Sequence, residues 1–162
     1  MHSLYKKNSG FTLIELITTL LIGALLLAWG VPGYRGLKVS RLVTDHANEM
    51  VYSLSLARAE AIRYGSTVTV SPLSGNDWNS GWLISAPGIE GGADIEIYQQ
   101  SPLDSKLNIT QNGPLQGDLQ FNNIGELVGN NQGQFTIAHT VSTNTSRNIL
   151  INLAGMSKVV NP

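Results

Sequence analysis

No cysteine occurs in the 162 residues, which excludes a disulfide framework, a thiolate metal site and thiol catalysis, and leaves the redox compartment open. Packing alone must hold the fold. Charge is scarce as well: Asp, Glu, Lys and Arg make up 13% of the chain, 10 basic against 11 acidic, and they are unevenly placed. Histidine is limited to His2, His46 and His139, and no two of them share metal-ligand spacing. No nucleophile motif accompanies the serines, so no catalytic residue, no metal and no cofactor is expected, and the chain is not read as an enzyme. The length allows one ordinary domain plus something extra.

The extra part is an apolar run. Phe11 to Val31 is 21 residues long with a single ionisable group, Glu15, a length that spans a bilayer. A secretory signal peptide has a shorter apolar region with its cleavage site after it. Here the short polar stretch comes first, Met1 to Gly10 with Lys6 and Lys7, and Gly10 leads directly into Phe11-Thr12-Leu13-Ile14-Glu15-Leu16. The two lysines hold the N-terminus in the cytoplasm by the positive-inside rule and send the chain beyond Val31 across the membrane.

The segment Gly10-Phe11-Thr12-Leu13-Ile14-Glu15 resembles the class III signal of type IV prepilins and type II secretion pseudopilins. The resemblance implies cleavage by a membrane prepilin peptidase between Gly10 and Phe11, N-methylation of Phe11, and an assembly role for Glu15 at the fifth mature position. It extends to Pro32, the 22nd residue counted from Phe11, where pilin helices commonly carry proline. The physical reading of Glu15 agrees. A carboxylate near the middle of a transmembrane helix costs about 2.5 to 3.5 kcal/mol, so it needs a partner or a purpose. The new amine of Phe11, one helical turn away or on a neighbouring subunit, supplies one.

Beyond Pro32 the pattern becomes an amphipathic helix, interrupted at first by Gly33 and Gly36. Val39, Val43, Ala47, Met50, Leu54, Ala57 and Ala61 recur at spacings of four and three, a continuous apolar stripe that predicts packing under a sheet. Tyr64-Gly65 ends the helix, with Gly65 as its cap. After it, short apolar runs at 67–70, 82–85, 95–98, 107–110, 119–121, 134–138 and 148–153 alternate with Gly, Asn, Ser and Pro, the spacing of an antiparallel β domain. The fold class is α+β: a long N-terminal helix, transmembrane in one half and amphipathic in the other, on an antiparallel β head. The expected organisation is a leader over 1–10, a membrane helix over 11–32, an amphipathic helix over 33–64 and a head over 65–162.

The helix end Leu56-Ala57-Arg58-Ala59-Glu60-Ala61-Ile62-Arg63-Tyr64-Gly65, the strand Gly81-Trp82-Leu83-Ile84, Leu119-Gln120-Phe121-Asn122 with Gly125, and Ile149-Leu150-Ile151-Asn152 with Gly155 resemble the GspH/FimT family of minor pilins and minor pseudopilins. Two departures stand out. The cysteines that many relatives carry are missing, and the arginine-rich motif of DNA-binding members is replaced by Gly155-Met156-Ser157-Lys158. From Gly65 onward three cations, Lys106, Arg147 and Lys158, face seven acids, a net charge of −4. DNA binding draws on phosphate neutralisation, so only Arg147 and Lys158, on C-terminal segments able to pair as a hairpin, remain as DNA-contact candidates. DNA is not the favoured partner.

Trp82, within an apolar strand, is assigned to the core. Trp78, in the Asn-rich stretch Gly75 to Asn79, is the better candidate for a subunit contact. Together these features predict an inner-membrane, single-pass protein whose head lies in the periplasm and whose helix enters a filament. Its expected partners are the prepilin peptidase, other minor and major pilins or pseudopilins, and the membrane. The resemblance implies a minor type IV pilin of the FimT/FimU kind, which initiates or caps assembly. The alternatives are a GspH-like minor pseudopilin of a type II secretion system and a DNA-binding minor pilin of natural transformation.

Overall fold

The computed structural model describes residues 10–114, 116–129, 132–142 and 145–161, so most of the expected leader lies outside the described residues. The chain divides into two units, 1–38 and 39–162. Helix α1, Leu13–Tyr64, contributes to both and runs unbroken through Gly33 and Gly36. The expected interruption there is absent, because two isolated glycines each cost a helix only about 1 kcal/mol.

In the first unit the large apolar side chains of α1 are exposed, Leu13, Ile14, Leu20, Leu26 and Trp29 among them, and none of its most apolar stretch is buried. It is long and apolar enough to cross a membrane. Its hydroxyls turn inward: Thr18 Oγ1 donates to the Ile14 carbonyl at 2.9 Å and Thr19 Oγ1 to the Leu16 carbonyl at 2.8 Å. Neither then needs water, which suits a helix in lipid.

In the second unit the apolar stripe is the core's floor. Val43, Ala47, Met50, Leu54, Ala57 and Ala61 are fully buried, as the periodicity predicts. The helix stops where Gly65 adopts φ +64° and its N–H returns to the Ile62 carbonyl at 3.3 Å. Eight strands come after it among the described residues: β1 Val68–Ser74, β2 Asp77–Ala86, β3 Ile95–Gln100, β4 Leu107–Asn112, β5 Leu119–Phe121, β6 Gly133–His139, β7 Ser146–Ile151 and β8 Ser157–Val160. They form two antiparallel four-stranded sheets, β3-β2-β1-β5 and β4-β6-β7-β8. Strand β8 is not among the runs expected from composition, since its four residues include only two apolar ones. Inward positions alternate as a strand requires, Ile109, Phe135, Ile137, Ile149 and Ile151 all being buried.

Two matching loops close the far end of this core. Asn122 to Glu126 and Asn152 to Met156 are each a three-residue hairpin connection: the first Asn donates its N–H to the fifth residue's carbonyl, at 2.9 and 3.1 Å, and its own carbonyl accepts the glycine N–H, at 2.9 Å in both. In each loop the Asn side chain also takes the fifth residue's amide, at 2.9 Å in both. The αL glycines are Gly125, φ +83°, and Gly155, φ +72°, which this loop type demands. The loops pack glycine on glycine, so that a Cβ on Gly155 would overlap the Gly125 carbonyl oxygen. That same oxygen accepts Arg58 Nε from α1 at 3.0 Å.

Strand β3 is tied to α1 by Tyr98, whose hydroxyl lies 2.6 Å from Glu49 Oε1 and 2.7 Å from the Gln100 side-chain oxygen. A phenol has one proton, and the charged Glu49 carboxylate is the stronger acceptor for it. Burial, then the hydrogen bond to Glu49 and its negative charge, push the Tyr98 phenol up to about 12.

Candidate processing and assembly site

The start of α1 is built by Thr12. Its Oγ1 accepts the Glu15 amide at 3.3 Å and its carbonyl accepts the Leu16 amide at 3.1 Å, which makes Thr12 the N-cap and Glu15 the third helical residue. The sequence Thr-Leu-Ile-Glu has the spacing of a capping box. Glu15 therefore lies in the first turn, so the cost of a carboxylate near the middle of a transmembrane helix does not describe it. There the helix dipole favours its negative charge by about 0.3 to 1 kcal/mol. Gly10 and Phe11 precede the helix without regular structure. A Cβ on Gly10 would meet nothing within 4 Å, and Phe11 is 79% exposed. The bond between them is accessible, and Phe11 stands four residues before Glu15 in the chain. Pro32 lies inside α1, where it withdraws one N–H from the helical ladder.

Trp78 is not a surface contact. It is 2% exposed, within β2, with its ring 4.9 Å from Phe135 and 6.5 Å from Trp82. The register between β1 and β2 jumps from Ser74↔Asp77 to Pro72↔Trp82, so residues 78–81 bulge from the pairing and turn Trp78 toward the other sheet. The next residue completes the junction: Asn79 Oδ1 accepts the Ile109 amide of β4 at 2.7 Å and the Asn79 carbonyl accepts the Leu103 amide at 3.0 Å. The Asn- and Gly-rich composition reads as a loop, and only the spacing of two tryptophans four apart hints at a shared inward face.

Arg147 and Lys158 do lie on a hairpin, β7 with β8. The register pairs Leu150 with Lys158 and Ile149 with Val159, so Lys158 shares a face with Leu150 while Arg147 shares the opposite face with Ile149. Arg147 Nη1 donates to the neighbouring Ser146 carbonyl at 2.8 Å. The two cations do not form one patch.

An apolar N-terminal helix with a capped, accessible start, continuing into an amphipathic half that carries a four-plus-four-stranded head, defines a type IV pilin-like protein. Residues 46–155 match the family described as type II transport protein GspH, and residues 5–31 match the prokaryotic N-terminal methylation motif. The chain belongs to the GspH family and carries the N-terminal methylation motif. The type IV minor pilin FimU of Pseudomonas aeruginosa has a similar structure, with a TM-score of 0.63 and 22% identity over 74% of this chain and 88% of that one. The minor pseudopilin EpsH from the type 2 secretion system of Vibrio cholerae aligns with a TM-score of 0.57 and 14% identity over 74% of this chain and 97% of that one. No curated protein matches the sequence.

Proposed function

We propose that the chain is a minor type IV pilin that initiates or caps filament assembly. The observation that carries this reading is a helix apolar enough to span a membrane, unpartnered within its own unit, that begins with an accessible Gly10-Phe11 bond and a first-turn Glu15. In this reading a prepilin peptidase cuts after Gly10 and methylates Phe11. Residues 11–32 hold the protein in the inner membrane with the 65–162 head in the periplasm, and Glu15 meets a mature N-terminal amine as other pilins join. The likeness to FimU supports a pilus.

A second reading, a minor pseudopilin serving type II secretion, is supported by the description of the matched family. DNA capture has less behind it, since Arg147 and Lys158 face opposite ways on a head of net charge −4. Deleting the gene separates the first two. Loss of surface pili with normal export, restored by the full-length chain, is the expected result. Loss of export with normal pili would replace the first reading by the second.

A further inference from the structure

The sheet β4-β6-β7-β8 has two edges, and only one is covered. At β4, Asn79 occupies the Ile109 amide and reaches Asn108 Oδ1 at 3.1 Å. At β8 the edge is open. The bond from the Asn152 amide to the Met156 carbonyl makes 152 and 156 a hydrogen-bonded pair, and alternation makes Leu150/Lys158 and Asn148/Val160 hydrogen-bonded pairs too. The backbone N–H and C=O of Ser157 and Val159 therefore point away from β7. Among the described residues nothing bonds to them, and Ser157 Oγ is buried without a partner.

Such a row of backbone groups beside Val159 and Val160 is a template for another strand, normally blunted by charge or proline. Lys158 alone blunts it. Next to the start of this edge runs a groove of about 350 Å³ lined by Ser55, Arg58, Ala59 and Ile62 of α1 and by Gly155 to Ser157. On its helix side Ser55 and Ala59 are small and Ile62 is 51% exposed. No acid lines it, and among the described residues neither Arg58 nor Lys158 has a carboxylate partner.

We infer that β8 receives an extended, acid-bearing segment of another polypeptide as a fifth strand of its sheet, with a small apolar side chain over Ser55, Ala59 and Ile62 and a carboxylate across from Lys158. Backbone pairing supplies the affinity and the alternate side chains the selectivity. A second copy of β8 does not fit as well, since self-pairing offers neither cation a carboxylate. The inference holds for a pilus and for a secretion filament alike.

The probe is the acetylated, amidated pentapeptide Thr-Val-Glu-Val-Thr, which places valines on one face and the acid on the other, with Thr-Val-Lys-Val-Thr as its charge-reversed counterpart. Each is added at millimolar concentration to the full-length chain in neutral detergent micelles, and hydrogen exchange is measured at individual amides. The Ser157 and Val159 amides should exchange freely alone and slow by at least about tenfold with the Glu peptide. Lys158→Glu should reverse the preference between the two peptides. Val159→Pro, tolerable because this N–H faces away from β7, should abolish binding while leaving the near-UV spectrum of the buried tryptophans unchanged. Protection of both amides before peptide is added, no slowing with the Glu peptide, or slowing that Lys158→Glu leaves unaltered would each overturn the inference.

Discussion

Replacing Gly155 with alanine tests whether the two matching loops hold the head together. The φ of +72° is costly for any residue with a Cβ, about 1 to 2 kcal/mol. The new methyl would also overlap the Gly125 carbonyl oxygen and press on Phe121 Cε1 at 3.1 Å. Neither neighbour is the free end of a flexible chain, so the backbone has to move, and overpacking of this kind costs about 1 to 3 kcal/mol more. The total is about 2 to 5 kcal/mol, a large part of the roughly 5 to 15 kcal/mol that stabilises an ordinary domain. Two other glycines calibrate it. At Gly65, φ +64° with nothing within 4 Å of a Cβ, alanine should cost only the αL penalty, about 1 to 2 kcal/mol. At Gly125 a Cβ would touch Ile62 Cδ1 at 2.9 Å and Arg58 Cγ and Nε at 3.0 Å, side chains able to yield, though the Arg58 hydrogen bond worth about 0.5 to 1.5 kcal/mol is then at risk. Urea unfolding of the full chain in detergent, monitored by the near-UV circular dichroism of Trp78 and Trp82, should rank the losses in ascending order Gly65→Ala, Gly125→Ala, Gly155→Ala. The Gly125→Ala/Gly155→Ala double variant should depart from additivity, because the two residues touch. A Gly155→Ala loss no greater than that of Gly65→Ala would refute the packing argument.

The other expectations rest on single side chains. Trp78→Ala should destabilise the head by about 3 to 5 kcal/mol, the cost of emptying a buried aromatic site; unchanged urea unfolding would return Trp78 to the surface. Because the Tyr98 phenol is raised from its usual value near 10 to about 12, the neutral form belongs to the folded state. Its contribution is complete below pH 10 and is lost as pH rises toward 12. Ultraviolet titration should find Tyr98 un-ionised at about pH 11, and the stability difference from Tyr98→Phe should shrink above about pH 10. A Cβ on Gly10 meets nothing within 4 Å among the described residues, so an uncut precursor accumulating for Gly10→Val would report on processing, whereas normal cleavage would contradict the proposed signal. Glu15→Leu should insert normally and fail to assemble; full assembly by this variant would remove Glu15 from the mechanism.

Periodicity is enough to read the helix and the faces of the strands. The stripe from Val43 to Ala61 is legible because one repeat runs without interruption along the helix, and Phe135 and Ile137 because alternation flips every second side chain. The features that local pattern does not carry are decided by contacts between distant segments. Trp78 turns inward only because β2 bulges against β1 and because Phe135, far along the chain, waits on the other sheet. Arg147 and Lys158 could be placed on one hairpin from spacing, but their faces depend on a register set by Asn152 and Gly155, and a shift of one residue reverses the answer. Glu15 is a different case, because its signal is local and present: Thr12 three residues before it marks a helix start, which the surrounding apolar run obscures.

That position gives Glu15 two physical duties that separate at different stages. Within one chain it sits where the helix dipole and the Thr12 cap favour a carboxylate, which lowers the cost of carrying it at the start of an apolar helix. The apolar positions around it have no such internal solution. Leu13, Ile14, Leu20, Leu26 and Trp29 remain exposed in the isolated chain, and burial of each such side chain is worth about 1.5 to 3 kcal/mol. Lipid can cover them, and so can the same helix of other subunits, because both are apolar and neither hydrogen-bonds the backbone that α1 has already satisfied. Transfer between those two environments is therefore nearly neutral for the apolar side chains. In the proposed assembly, the carboxylate, which lipid cannot pair and a neighbouring amine can, is then the group that would favour the filament over the membrane.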